Sequence, residues 1–334
     1  MSKEGAGYEP AVVTRVICAS VSRVQGSVMG HLFAIRDRNC GKGPATPVKG
    51  AVLYSSGWFV LWLEGSAGEV ERVLRRAAGD PGNALQQVIH RSTGAATLTE
   101  TFTVVTTQGA DDIAAFGRRV HHFKALHALG SAVEPAHVWQ RLSAPCPATR
   151  EPDAAPDYRI ALVSAGDNGP IDLLRRLGER FGSTVAYQRF ARGEVHSGDV
   201  GVAYVDVVSQ WQARRIQLVS RRALGQRMVQ RSLDPSDALV LLLTGSPGAA
   251  IDLATSVCAC LQAQDQMPAI YLVTDFDEVA SAVARVLGEG ITNDQPLELA
   301  HVGEAQLADL FMGTLEAPAA QGTPGRAAAR GISV

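Results

Sequence analysis

The spacing of hydrophobic and polar positions divides the chain into two regions with different patterns. In residues 11–110, short runs rich in β-branched and aromatic residues separate two stretches whose apolar residues recur every three or four positions. These patterns predict strands and helices in the order βαββαββ. The predicted strands are 12–20, 50–54, 58–63, 85–90 and 101–107, and the predicted helices are 28–37 and 69–78. This order is typical of an α+β ferredoxin-like domain, with two helices on one face of an antiparallel sheet.

Residues 111–144 continue the chain with a helical pattern. Ile113, Phe116, Val120 and Phe123 lie three or four positions apart, which places them on one face of a helix. The following segment, 145–157, contains four prolines and is predicted to be an interdomain linker.

The second region, 158–316, alternates near-continuous apolar runs with helical patterns. This alternation predicts an α/β domain built on a mostly parallel, doubly wound sheet. The predicted strands are 158–164, 201–208, 214–220, 238–243, 269–273 and 297–302, and the predicted helices are 171–181, 249–262, 278–287 and 304–315. The tail 317–334 is rich in Ala, Gly, Pro and Arg and is predicted to be disordered.

Composition narrows the classes of function. Of 334 residues, 46% are hydrophobic and 19% are charged, and the formal net charge is -2. A net charge this close to zero gives no reason to expect nucleic acid as a partner. No apolar run approaches the ~18 residues of a membrane span. The five cysteines are odd in number and show no zinc-like spacing, so we expect reduced thiols, no metal site and a cytoplasmic location. The sequence does not indicate an oligomeric state.

The first domain carries a recognisable segment at residues 50–65. It reads Gly-Ala-Val-Leu-Tyr-Ser-Ser-Gly-Trp-Phe-Val-Leu-Trp-Leu-Glu-Gly, two β-rich runs joined across Ser55-Ser56-Gly57. This resembles the pattern of BLUF domains, flavin-based blue-light sensors, which runs Gly-x-Leu-Leu-Tyr-x-x-Gly-x-Phe-x-Gln-x-Leu-Glu-Gly. The resemblance implies a ferredoxin-like fold and names FAD as a candidate cofactor.

The light-switch positions of that family differ here. The family's tyrosine corresponds to Cys18 and its glutamine to Leu61, and leucine can neither donate nor accept a hydrogen bond. Asn39 corresponds to a family asparagine that would contact a flavin. Three interpretations follow: a working light sensor, a binder of flavin or another planar ligand without a photocycle, or a BLUF-like interaction module. In the last of these interpretations, Trp58 and Trp62 would form a partner surface, unless a following helix covers them.

The second domain resembles Ras-like small GTPases of the bacterial cell-polarity type. Gly169 corresponds to the second glycine of the phosphate-binding loop, Gly225-Gln226 to a family Gly-Gln pair, and Asp277 to the base-specificity aspartate. The resemblance therefore makes Gly169, Gln226 and Asp277 the nucleotide-site candidates. Pro170 and Ile171 replace the phosphate-binding lysine and the magnesium-binding hydroxyl, which removes both contacts.

These observations predict a non-enzymatic adaptor or regulator in signal transduction. A pseudo-GTPase fused to a BLUF-like domain would bind protein partners, among them a true small GTPase, through a basic patch. That patch comprises Arg221, Arg222, Arg227 and Arg231. No cofactor is expected. The alternatives are a photoreceptor that binds FAD and a GTP-binding protein with little or no hydrolysis.

Overall fold

A computed structural model provides the fold, in two compact units. Unit 1 comprises Met1–Asp153 and Arg189–Asp199, and unit 2 comprises Ala154–Gln188 and Val200–Val334. The structure describes residues 12–40, 48–109, 111–144, 158–166, 171–192, 200–208, 213–233, 236–262, 267–291, 299–302 and 330–331. The predicted linker and the predicted helix 304–315 lie outside these residues.

Unit 1 follows the predicted order of elements. The elements are β1 (Val12–Ser22), α1 (Val28–Cys40), β2 (Lys49–Ser55), β3 (Trp58–Gly65), α2 (Ala67–Ala78), β4 (Asn83–Ala95), β5 (Phe102–Gln108), α3 (Ile113–Ala128) and α4 (Pro135–Ser143). Its sheet has the order β5-β2-β3-β1-β4.

The sheet of unit 1 is mixed, and the prediction of an antiparallel sheet is wrong at one edge. β3 pairs antiparallel with β1 and β2, and β1 pairs antiparallel with β4. β5 instead pairs parallel with β2. The chain reverses direction after β4, so β5 runs with β2 when it adds to that edge. Local patterns carry no information about this choice of edge.

The β2–β3 hairpin closes through a two-residue turn. Ser56 and Gly57 have φ values of 49° and 78°. Positive φ at both central residues defines the turn that matches the twist of the flanking strands. In the resulting register, Leu61 on β3 pairs with Val52 on β2 on one side and with Cys18 on β1 on the other.

Helices cover both faces of this sheet. On one face, Leu32 of α1 packs with Phe59, and Leu74 of α2 packs with Leu63. On the other face, Trp58 stacks on Phe116 of α3, with ring centroids 6.2 Å apart.

The two tryptophans of β3 lie beneath α3 and α4. Trp62 meets Trp139 of α4 at 5.8 Å between ring centroids, and the Trp58 indole donates a hydrogen bond to the Ile113 carbonyl over 3.1 Å. Their exposures are 6% for Trp58 and 0% for Trp62. The prediction that they form a partner surface is therefore wrong, because residues 111–144 fold back over this face.

Unit 2 contributes mostly parallel sheet strands. Its elements are β6 (Tyr158–Ser164), α5 (Ile171–Phe181), β7 (Ala186–Arg192), β8 (Val200–Val208), β9 (Ala213–Ser220), a 3₁₀ turn (Arg221–Gly225), α6 (Arg227–Leu233), β10 (Ala238–Leu242), α7 (Pro247–Leu261), β11 (Ala269–Val273), α8 (Asp277–Gly290), β12 (Leu299–Val302) and β13 (Arg330–Gly331). β7 spans the division between the units, with Arg189–Arg192 assigned to unit 1.

The strand order in unit 2 is β13-β12-β11-β10-β6-β9-β8. The five strands from β12 to β9 are parallel, while β8 pairs antiparallel with β9. β13 adds an antiparallel pair to β12, so the prediction of a wholly disordered tail is wrong at Arg330–Gly331. An edge strand offers unpaired backbone groups, which local composition does not show.

The centre of this sheet explains its apolar sequence. Leu162 and Val163 on β6 are fully buried because β6 has a strand on each side and helices on the sheet faces. β6 has β9 as its neighbour on one side and β10 as its neighbour on the other. The chain therefore adds β9 to one side of β6 and then crosses over to add β10 to the opposite side. Such a reversal opens a crevice at the carboxyl ends of the strands. Within the described residues, no helix is long and apolar enough to cross a membrane.

Candidate functional site

A cavity of about 290 Å³ lies between α1 and α2 of unit 1, over the sheet. Cys18 and Leu61, the two positions that the BLUF pattern identifies, both line it. They are direct cross-strand partners on β1 and β3. Phe59 and Phe102 extend the same floor. The fold therefore brings the two switch positions together, on an apolar surface.

At the two switch positions the floor offers little hydrogen-bonding chemistry, although Ser20 on β1 adds a hydroxyl to the same lining. Burial raises the pKa of the Cys18 thiol to about 12, so this group is neutral at physiological pH. A neutral thiol is a weak donor, and Leu61 has no polar atom. A side chain that exchanges donor and acceptor roles with a bound ring is missing from both positions.

Charged groups lie at the rim of the cavity, near the end of α2. Asp80 accepts a hydrogen bond from the Gly82 amide over 2.8 Å, and its other oxygen lies 3.7 Å from the Arg38 guanidinium. His31 Nε2 is 3.9 Å from the same oxygen. A Cβ on Gly82 would lie 2.9 Å from the His31 ring, so glycine permits this close approach. The turn fixes a carboxylate and a guanidinium beside the opening.

The size and lining of this cavity bear on which ligand it could hold. Its volume is near the lower end for ligand pockets, ~300 Å³, and its floor is apolar. Arg38 and Arg76 line its mouth and would favour an anionic substituent. Asn39 lies on α1, and its side chain is outside the described residues. The residues present do not fit the photochemical role of a flavin, because Cys18 and Leu61 cannot perform the exchange.

The crevice of unit 2 contains small hydroxyl side chains. Ser164 ends β6, and its Oγ lies 3.5 Å from the Thr244 hydroxyl beyond β10. The Gly166 amide donates to Ser164 Oγ over 3.2 Å, which turns the chain away from β6. Gly169 and Pro170 lie outside the described residues, and Ile171 begins α5. The candidate phosphate loop is therefore described only at its two ends.

The other two nucleotide candidates lie apart. Gln226 follows the 3₁₀ turn after β9 and is 2% exposed. Asp277 begins α8 after β11, is 81% exposed and lies 3.3 Å from His301 Nδ1. β9 and β11 are three strand positions apart, or about 14 Å. Met228 and Val229 of α6 also turn inward beside Gln226. The role of Gln226 as a nucleotide contact stays a prediction.

The four arginines of the predicted basic patch lie on the 3₁₀ turn and α6. Arg222 and Arg227 are exposed, and Arg231 is half-buried. Arg221 Nη1 is 3.3 Å from Asp252 Oδ2 on α7. Whether a partner binds this patch stays a prediction.

Glu64 of the Leu-Glu-Gly segment has a structural role that the pattern did not reveal. It is 2% exposed and accepts hydrogen bonds from the amides of Thr97 and Leu98 over 2.6 and 2.7 Å. The Thr97 hydroxyl also donates to it. The carboxylate therefore satisfies the backbone of the connection that leads from β4 to β5.

Comparisons with known proteins give structural neighbours only. No protein-family model matches the chain, and no curated protein matches it. Among solved structures, the chain is similar to BlsA in its ground state, at 17% identity over 28% of this chain and 64% of that one, with a TM-score of 0.25. It is also similar to BlrB, a BLUF protein in its dark state, at 15% identity over 28% of this chain and 72% of that one, with a TM-score of 0.25.

A third neighbour is a bacterial light-regulated adenylyl cyclase. The identity is 12%, the coverage is 66% of this chain and 84% of the cyclase, and the TM-score is 0.25. The chain spans a little under two thirds of BlsA. The BLUF neighbours cover the N-terminal part of this chain, where the ferredoxin-like elements lie. The GTPase-like interpretation of unit 2 stays a prediction.

Proposed function

We propose that this protein is a non-enzymatic regulatory adaptor, in which a BLUF-like unit without its light switch is joined to a GTPase-like unit without its catalytic residues. The observation that carries the proposal is the pair Cys18–Leu61. The fold brings these side chains together beneath the cavity, yet neither can perform the donor–acceptor exchange. A scaffold that keeps the site's geometry without its chemistry is suited to binding.

Unit 2 supports the same interpretation by its topology. Five parallel strands with an antiparallel neighbour form a crevice at the end of β6, as a nucleotide-binding α/β fold would. Pro170 and Ile171 supply neither the cation nor the hydroxyl that phosphate and Mg²⁺ need. The resemblance places a family aspartate at the position of Arg222, and a guanidinium cannot ligate Mg²⁺.

The absorption spectrum of the purified full-length protein tests the first unit. We expect no flavin band in the blue, and no spectral shift on illumination after incubation with FAD. The double variant Cys18→Tyr/Leu61→Gln restores both family side chains and serves as the matched comparison. A flavin band in the wild-type protein that shifts reversibly under blue light would overturn the adaptor proposal in favour of a photoreceptor.

Calorimetry with GTP and Mg²⁺ tests the second unit. We expect a Kd weaker than about 10 μM, which corresponds to roughly -7 kcal/mol. The variant Pro170→Lys/Ile171→Ser restores the cation and the hydroxyl, and should bind more tightly than the wild type. Tight binding by the wild-type chain would instead favour the GTP-binding alternative.

The partner surface is tested by cross-linking in the source organism. The double variant Arg222→Glu/Arg227→Glu reverses the two exposed charges after β9. We expect it to cross-link to its protein partner less than the wild-type protein does. Arg176→Glu reverses an exposed charge on α5 and is the matched control. An equal loss in both variants, or in neither, would argue against this surface.

A further inference from the structure

A second cavity in unit 1 lies on the opposite side of the sheet from the α1/α2 site. It has a volume of about 390 Å³ and lies between the strands β1 and β4 and the helices α3 and α4. Arg15 and His90 give it a polar end, while Phe123, Leu126 and Val138 form apolar walls. A cavity of this size that combines an apolar wall with fixed polar groups can hold a small organic ligand.

Arg15 is a preorganised cation in this cavity. The residue is 8% exposed, and its Nε donates to Ser92 Oγ over 3.1 Å. A Cβ on Gly94 would lie only 2.8 Å from the guanidinium carbon, so glycine leaves the space in which the group lies against β4. A planar guanidinium held in this way is suited to binding a carboxylate.

A carboxylate from the protein itself contacts this cation. Glu134 Oε2 lies 3.1 Å from Arg15 Nη1, although the Glu134 side chain is 72% exposed. Glu134 is the residue before α4, and its side chain makes no hydrogen bond to the helix amides. An ion pair with one exposed partner contributes little to stability, so a competing carboxylate can displace it at small cost.

His90, which also lines this end, adds no charge beside Arg15 at neutral pH. His90 Nε2 is 2.8 Å from Ser92 Oγ. Burial, followed by the nearby charge of Arg15, lowers the pKa of His90 to about 4, so the ring is neutral at physiological pH. Ser92 can then accept from Arg15 and donate to His90. Arg91, the other guanidinium of the lining, is paired with Glu71 at 3.2 Å. Displacement of Glu134 would leave the Arg15 guanidinium facing the apolar walls.

We propose that this cavity binds a small organic monocarboxylate with an apolar body, whose carboxylate replaces that of Glu134 on Arg15. The ligand's apolar part contacts Phe123, Leu126 and Val138. This site is independent of the α1/α2 cavity and of the function proposed above.

Ligand-observed NMR on the full-length protein tests the proposal, with hexanoate as the probe. We expect hexanoate to bind with a Kd below about 1 mM, while the neutral analogue hexanol and inorganic phosphate bind much more weakly. Glu134→Gln removes the competing carboxylate and should tighten hexanoate binding about fivefold. Arg15→Gln should abolish it.

Glu69→Gln is the matched control. Glu69 pairs with Arg72 on α2 at 2.6 Å, neither residue lines this cavity, and the replacement should leave the Kd unchanged. Because Glu134 is exposed, its variant should fold even if Arg15→Gln does not. Equal binding of hexanol and hexanoate, competition by phosphate at equal strength, or unchanged affinity in Glu134→Gln would each overturn the proposal.

Discussion

The two faces of the sheet in unit 1 differ in where they place polar groups. On the α1/α2 face, Cys18 and Leu61 form an apolar cavity floor, and charged groups such as Arg38 lie at the rim. On the α3/α4 face, Arg15 and Glu64 are buried within the packed layer. The strands β1 and β3 supply these residues to both faces, because successive side chains point to opposite sides.

This difference shows that resemblance to a family can identify a site without identifying the chemistry of the molecule. The BLUF-like segment points to the α1/α2 face, where the decisive polar side chains are missing. Arg15 and Glu64 lie on the opposite face with hydrogen-bond partners, and Arg15 also lines a cavity there. Buried polar groups of this kind are costly unless paired, so they mark positions with a specific role.

The largest effect should come from Trp62, the core of the α3/α4 face. Trp62→Ala removes a fully buried ring that packs on Trp139, and we expect it to lower the free energy of unfolding by about 4 kcal/mol. Urea unfolding followed by circular dichroism measures this. Leu129→Ser, at a residue 80% exposed, should cost less than ~0.5 kcal/mol and is the control. A small loss in Trp62→Ala would argue that this face is not packed as described.

The buried ion pair beneath α3 should give the next largest effect. Arg119 pairs with Asp111 and also donates to the carbonyls of Arg141 and Ala144, each over 2.8 Å. Arg119→Met leaves the Asp111 carboxylate without its cation, and we expect a loss of about 3 kcal/mol. The double variant Arg119→Met/Asp111→Ala should be destabilised by less than the sum of the single variants. Additive losses would contradict direct coupling.

Acid should lower the stability of the folded protein through His90 on the α3/α4 face. His90 has an ordinary pKa of 6.5 that the fold lowers to about 4. As the pH falls from 6.5 towards 4, the unfolded chain takes up a proton that the folded chain does not, so stability falls across this window. We expect a loss on the order of 2 kcal/mol after allowance for solvent screening. Thermal unfolding across this pH range measures it, and His90→Gln should show a flatter pH dependence than the wild type.

The smallest effect should come from Leu61, the neighbour of Trp62 on the other face. Leu61 is half-buried and borders the α1/α2 cavity, so Leu61→Gln leaves its amide access to that space. We expect it to change stability by less than about 1 kcal/mol. A loss equal to that of Trp62→Ala would show that the α1/α2 cavity is closed and that the two faces are alike.

Much of the fold could be predicted from local patterns. The strand Tyr158–Ser164, the helix Ile171–Phe181 and the strand Ala269–Val273 have the predicted bounds. The period of two along β3 also separated Trp58 and Trp62 from Leu61. β7 and the 3₁₀ turn were missed, since neither has a strong local period.

The candidate sites were predictable to different degrees. The resemblance to the BLUF pattern identified Cys18 and Leu61 as the switch positions, whereas no motif pointed to Arg15. Its role depends on Ser92 and on Glu134, which is 119 residues away in sequence. No local pattern encodes a contact of that separation.

The sequence by itself determined the two domain-sized rhythms, most elements and the absence of switch side chains at residues 18 and 61, because these depend on residue type and short-range spacing. Only the tertiary structure decided that β5 joins β2, that α3 and α4 cover the tryptophans, and that Arg15 faces a cavity beside Glu134. These outcomes depend on which distant segments pack together, and that choice is made by burial and charge pairing across the whole unit.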